Sequence, residues 1–308
     1  MTSPAPDGTL VRRMFRLATV ATLLLAGCRS GETALVRGDR FWADSNYTAA
    51  LAEYRLAARQ DGGNPPTLAR VAHAYAITGQ LERARETYEQ LIKQEPRYSD
   101  QAVFDYLTLA REALDRGDRF GVARAAEAAL ALRPGIPLGD MATELARYHA
   151  SSGDGERALE FFERALVQQP PESVPPLLFE MATLHERQGG CADAVSYYRA
   201  YLQRAAYAEN ANEARFRLGT CAFELGKRAR DSGSYEDALG WFQMVGTQGY
   251  PANLVDQAWF EAGEALMMLD RRDEALDAYR RAIFAANPQS QVAQRAQRRV
   301  QEILLTPR

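Results

Sequence analysis

Between Trp259 and Pro288 the chain spells out one helical hairpin. Trp259, Ala262, Gly263 and Leu266 fall at i, i+3, i+4 and i+7, the spacing of a single helix face. The charged stretch from Asp270 to Asp273 then interrupts the apolar pattern. Ala275, Tyr279, Ala282 and Ile283 resume it with the same period, and Pro288 closes it. A lone pair of short helices buries too little apolar surface to persist in water. Such a hairpin must therefore be one of several stacked copies.

The copies are present. A small residue near the start of each second helix recurs at Ala50, Ala84, Val122, Ala158, Ala194, Ala238 and Ala275. Successive markers are separated by about 34 to 44 residues. Gly79, Gly117, Gly153, Gly189 and Gly233 each precede a marker by the same short distance, where the chain must turn. Pro96, Pro134, Pro170 and Pro288 close repeats, and Pro65 is a displaced closer. The fullest copies are Leu145–Pro170, with Ala146, His149, Gly153, Ala158, Phe162 and Ala165, and Val71–Pro96, with Ala72, Tyr75, Gly79, Ala84 and Tyr88.

This order of aromatic, small pair, Ala, aromatic, Ala and Pro resembles the tetratricopeptide (TPR) repeat. The resemblance implies an all-α fold, a right-handed solenoid of about seven helical hairpins over residues 28–308. The third copy is degenerate, with Val122 and Ala126 where Ala and an aromatic are usual, so closer helix packing is expected there. The longest marker spacing predicts about two extra turns in the first helix of the sixth copy, near Ala214–Arg230. Gly219 and Gly226 give that helix two registers of small residue. Residues 289–305 read as a capping helix with Val292, Ala296, Val300, Ile303 and Leu304 on one face, and Asn287 and Pro288 suit its N-cap and first position.

The first residues follow other rules. Arg12, Arg13 and Arg16 precede a short apolar run, Leu17 to Leu25, which ends in Leu25-Ala26-Gly27-Cys28. The run is too short to span a bilayer and has the order of an export signal. Its end resembles the lipobox of bacterial lipoproteins. That resemblance implies removal of residues 1–27, acylation of Cys28 and a short tether at 29–33, so that the repeats sit near a membrane. Arg29, in place of the Asp that retains such proteins at the inner membrane, implies the periplasmic face of the outer membrane. Export through the Sec route is expected; Arg12-Arg13 also resembles a twin-arginine signal, and Met14 is a second candidate start. The full chain has a formal net charge of −3, and loss of the signal makes it more acidic, which argues against nucleic-acid binding.

With Cys28 as the anchor, Cys191 and Cys221 remain. They fall on consecutive antiparallel helices, joined near residues 204–211, at positions that face each other to within a helical turn. In an oxidising compartment they form either a disulfide or two buried free thiols.

No catalytic constellation is present: no H-E-x-x-H, G-x-S-x-G or phosphate loop occurs. His149 and His185 stand where the repeat has Tyr, which makes them packing residues, and a lone His73 has no metal-ligand set. No metal and no cofactor are expected. The tripeptides Arg37-Gly38-Asp39 and Arg116-Gly117-Asp118 are explained by a packing glycine and a turn glycine. An enzymatic role, for instance on peptidoglycan, would need a separate catalytic domain for which the repeats leave no room.

By register, the resemblance places the first helix of each hairpin along a concave groove. It assigns Trp42, His73, Arg111, Thr143, Arg147, Phe179, Phe223, Lys227, Arg230, Phe260 and Glu264 to that groove. Rings with Arg between them suit a protein or peptide partner, and the cations favour an acidic segment. The chain thus reads as a membrane-anchored periplasmic interaction scaffold. In architecture it is similar to the TPR lipoprotein of the β-barrel assembly machinery. Accessory lipoproteins of pilus assembly, secretion and cell division fit the same motifs. The sequence leaves the partner and the oligomeric state open.

Overall fold

A computed structural model describes residues 32–305. Cys28, the export signal and most of the expected tether lie outside the described residues. Among the described residues all regular structure is helical. The helices are α1 (Ala34–Ala43), α2 (Tyr47–Gln60), α3 (Pro65–Ile77), α4 (Leu81–Gln94), α5 (Ser99–Asp115), α6 (Arg119–Leu132), α7 (Asp140–Ser151) and α8 (Gly155–Gln168). They continue as α9 (Val174–Arg187), α10 (Cys191–Arg204), α11 (Ala211–Asp231), α12 (Tyr235–Gln248), α13 (Val255–Met268), α14 (Arg272–Ala285) and α15 (Gln291–Leu305). Odd-numbered helices up to α13 are the first members of hairpins and even-numbered ones the second. The all-α repeat fold is as the sequence pattern requires.

The chain divides into two compact units. The first holds residues up to 112 together with 124–135, and the second holds 113–123 and 136 onward. In the first unit α1 packs on α2, α2 on α3 and α3 on α4. In the second, each helix from α7 to α15 packs on the next. One core of this unit runs through α11 to α15 around Phe242, Phe260, Leu266 and Tyr279.

Local chemistry sets the helix ends. Thr33, Asn46 and Asp154 cap α1, α2 and α8 by accepting hydrogen bonds from the backbone N–H groups of Val36, Ala49 and Arg157. Between the helices of a hairpin one residue takes a left-handed conformation. Glycine does this in five hairpins, Gly79 at φ 74° among them. Ser45 and Asp270 hold the same turn position at φ 58° in the first and last hairpins, so the turn geometry persists where the glycine does not.

The hairpins close on a contact between a small residue and a ring. A methyl group on Gly38 would stand 2.6 Å from the Tyr54 ring, one on Gly263 2.6 Å from Tyr279, and one on Gly226 2.7 Å from Phe242. The two registers of α11 have separate causes. Gly226 lies under the ring of its own hairpin, whereas Gly219 lies against the following turn, where a methyl group would meet the Tyr250 carbonyl oxygen at 2.2 Å. Helix α11 is 21 residues long against 14 for α12, which is the extension that the marker spacing predicts.

Cys191 and Cys221 are joined by a disulfide across α10 and α11, with Cα atoms 5.1 Å apart. Cys221 is buried. At the C-terminal end α15 covers the last hairpin with Ala293 and Ala296, both fully buried, and with Val292, Val300 and Ile303 against the same core. Two expectations need correction. The cap is Ser290, whose Oγ accepts the Ala293 N–H, because Asn287 and Pro288 belong to a preceding turn. Leu304 is exposed, since the core ends one residue earlier.

These contacts separate glycines that are required from one that is not. Gly219→Ala and Gly263→Ala should each destabilise the chain by about 1–3 kcal/mol, because a backbone oxygen or a packed ring must shift. Gly240 lies exposed within α12 with nothing near its missing Cβ, so Gly240→Ala should stabilise by about 0.5–1 kcal/mol. Urea denaturation of the three variants checks both signs.

Candidate partner-binding face

The first helices present polar side chains that are tied into place from behind. In the second unit the Tyr279 hydroxyl passes beside Gly263 and donates to Glu264 at 2.6 Å. Arg299 of α15 grips the same carboxylate with Nε and Nη2 at 2.8 and 2.7 Å. Tyr198 likewise donates to Glu186 at 2.7 Å, and Arg217 of the next first helix donates to it at 3.1 Å. In the first unit Tyr54 donates to Asp39 at 2.8 Å, and Arg70 donates to Asp39 at 3.0 Å. The variation on this theme is Asp105. It is almost fully buried, accepts from the Tyr88 hydroxyl, and stands 2.8 Å from His73 Nδ1. A tyrosine from a second helix holds an acid on a first helix, and a base from another helix of the same unit completes the set.

Several sequence-assigned groove residues belong to this scaffolding. Arg147 is bidentate to Glu180, with Nε at 3.0 Å and Nη2 at 2.7 Å, and also donates to Glu144 at 2.7 Å. Arg230 donates to Glu261 at 2.5 Å and to Asp231. Lys227 pairs with Glu224 one turn back on its own helix. In the first unit the half-buried rings of Trp42 and His73 lie 4.9 Å apart, with Tyr47 edge-on to Trp42 at 4.8 Å. Arg111, also in this unit, is exposed. Phe179 is half-buried against Tyr198 and Tyr201.

Phe223 and Phe260 are core residues and offer no ring surface to a partner. Phe223 packs on Phe242, and Phe260 lies against Tyr279 with the Arg295 guanidinium 4.2 Å over its ring. Their size decides this: a ring at that position gains more by filling the gap to the next helix than by lying on a wet face. His149 and His185 are packing residues as expected, stacked on Phe161 and Tyr197. Among the described residues no cluster of His, Cys, Asp and Glu has a metal-binding arrangement, and no helix is long and apolar enough to cross a membrane.

The second unit has a cleft on this face, with a volume of about 350 Å³. Thr143 and Arg147, both placed in the groove by register, line it together with Leu114, Pro176 and Leu177. Asp140, Glu144 and Glu172 stand around it. Asp140 accepts from the Gln169 amide, and the Gln168 side chain accepts the backbone N–H groups of Leu138 and Gly139, so the wall is fixed. Burial alone would raise the Glu144 carboxyl, but hydrogen bonds from Arg119 and Arg147 outweigh it and hold Glu144 below its ordinary range. The Glu180 hydrogen bonds push the Arg147 guanidinium upward against the effect of burial. The site is thus a rigid slot with an apolar floor and a charged rim.

Sequence models of the tetratricopeptide repeat match residues 41–103 and again 107–173, 179–251 and 252–290. The chain belongs to the tetratricopeptide-repeat family. Such repeats serve as protein–protein interaction scaffolds and are typically not enzymes. No curated protein sequence matches the chain significantly. Among solved structures, MamA is similar at 18% identity over 55% of this chain and 94% of its own, with a TM-score of 0.33. YrrB, described as a TPR protein with an unusual peptide-binding site, is similar at 20% identity over 70% of this chain and all of its own, with a TM-score of 0.31. The TPR2AB domain of yeast Sti1, in complex with pHSP90, is similar at 13% identity over 88% and 97%, with a TM-score of 0.36.

The tethered carboxylates make stability depend on pH. Burial opposes ionisation of Glu264, yet Arg299 and Tyr279 hold its carboxyl below the ordinary 4.5. A depressed folded-state value means that the contribution is complete above the ordinary value and is lost as pH falls through the folded one. Glu264→Gln should therefore lower stability at pH 7 and reduce the acid-limb loss below about pH 4.5, measured by urea denaturation across pH. Equal pH slopes in both proteins would contradict the hold of Arg299 and Tyr279 on Glu264.

Proposed function

We propose that this chain is a lipid-anchored periplasmic scaffold that holds a protein or peptide partner on the first-helix face, in the service of outer-membrane or envelope assembly. The observation that carries the reading is the cleft of the second unit. Two residues assigned to the partner face by repeat register, Thr143 and Arg147, line it beside exposed carboxylates and an apolar floor. Rigid slots of this kind take a side chain without paying to reorganise. The charge on the rim revises the expected partner. Arg147 is already answered by Glu180 and Glu144, so the slot has acid to spare and suits a basic or neutral segment better than an acidic one.

Two features support the location. The disulfide between Cys191 and Cys221 is of a kind that persists outside reducing compartments. The Leu25–Cys28 ending supplies an acylation signal at the correct side of the first hairpin.

The test is capture of partners by the intact chain, extracted in mild detergent from its native envelope and read by mass spectrometry. Thr143→Arg should cut the captured partner about tenfold while leaving the denaturation midpoint unchanged. Cys28→Ser should release the protein from membranes. Undiminished capture by Thr143→Arg would remove the cleft from the partner face, and continued membrane attachment of Cys28→Ser would remove the anchor.

A further inference from the structure

A cavity of about 210 Å³ lies in the first unit, between the second helices α4 and α6 and over Tyr106 of α5. Its origin is in the sequence. From Arg124 onward α6 carries alanines where a second helix has bulk to spend, and Ala128 and Ala131 leave the space beside Ile92 and Leu132 unfilled. The cavity is apolar at these four residues and charged at its rim.

Two donors at this cavity lack acceptors. Tyr106 is 2% exposed, and its ring packs edge-on against Tyr88. Its hydroxyl makes no hydrogen bond with any described residue, whereas the hydroxyl of Tyr88 is bonded to Asp105. Tyr106 lines the cavity together with Arg85 and Glu89. Burial and then Glu89 push this phenol upward, which keeps it a neutral O–H donor. The second donor is Arg85 Nε. It is buried and makes no hydrogen bond, with the Glu89 carboxylate standing off at 3.5 Å. A buried donor without an acceptor, as at Arg85 Nε, is rare in native proteins and marks a missing partner.

The rim determines the charge of that partner. Arg85 faces Glu82 and Glu89, Arg124 pairs with Glu82, and Glu127 also lines the cavity. The cations are answered, so an anion would meet carboxylates without a free counter-charge. We propose that this cavity is a binding site for a small neutral apolar molecule bearing one hydrogen-bond acceptor, of the ring-plus-carbonyl class. The apolar body fills the space beside Ala128 and Leu132, and the carbonyl oxygen accepts from the Tyr106 hydroxyl with Arg85 Nε as the second donor. An apolar cavity of about 150 Å³ is enough to take benzene, so this one has room for a ring and a short polar head. The site is separate from the cleft of the second unit and does not depend on the partner-binding reading.

The experiment uses the full chain and three probes in ligand-observed NMR titration. Acetophenone has the ring and the acceptor, ethylbenzene lacks the acceptor, and benzoate carries a charge. Acetophenone should bind saturably, and the other two more weakly by about three- to tenfold. Tyr106→Phe should weaken acetophenone by about the same factor and leave ethylbenzene unchanged. Ala128→Leu, which fills the base, and Ala131→Leu, which covers the exposed mouth without touching the core, should each abolish saturable binding. Non-saturable acetophenone binding, a preference for benzoate, or binding that survives Ala131→Leu in a folded protein would overturn the assignment.

Discussion

The contact between a small residue and the ring that faces it across the hairpin governs the rest of this structure. Gly38 lies under Tyr54, Gly226 under Phe242 and Gly263 under Tyr279 at distances that admit no Cβ. Close approach there brings the two helices within reach of each other along their length. It also fixes where the far end of each ring emerges. A phenol has a polar tip, and in three hairpins that tip reaches an acid on the first helix. The packing element thus positions the polar face directly, with no intervening loop.

The polar face then does two jobs. Its acids are held from behind by tyrosine and from the side by a base on a later helix: Arg70 on Asp39, Arg217 on Glu186 and Arg299 on Glu264. Charge-assisted bonds of this kind are stronger than exposed ion pairs because the hydroxyl and the guanidinium polarise the same carboxylate. Of the cations expected to await a partner, Arg147 and Arg230 are therefore spent on neighbouring helices and Lys227 on its own. What remains for a partner is the space between the tethered residues, above all the slot beside Thr143 and Arg147. A face built this way offers preset geometry instead of free charge, which favours shape and a few polar contacts over strong electrostatic capture.

Much of the fold was legible because its signals are local. Turn glycines, marker alanines and closing prolines each act within one hairpin, and the extension of α11 followed from a single wide spacing. The turn at Ser45 and Asp270 shows the same rule operating without its usual residue. The site was legible only in part. Register identified Trp42, Arg147 and Thr143 as first-helix face residues, but it did not show that Phe223 and Phe260 turn inward, because that depends on the gap to the next helix. The acid–base pairs went unread for the same reason, although a signal exists. Asp39 with Arg70, Glu186 with Arg217, and Glu261 with Arg230 are all 31 residues apart. The unfilled space at Ala128 and Ala131 was not legible: the degenerate third repeat suggested closer packing, and a missing side chain does not say whether the helices close up or leave room.

The most direct measurement is a double-mutant cycle on Glu186 and Arg217, using Glu186→Gln, Arg217→Met and the pair, followed by urea denaturation. If the acids and bases of the first-helix face hold neighbouring first helices together, the pair should be coupled by about 1 kcal/mol, and that coupling should shrink when Tyr198→Phe removes the hydroxyl. Effects that add within about 0.3 kcal/mol would contradict it. Glu186 and Arg217 would then be ordinary surface charges, and the first-helix face would be free to bind through them.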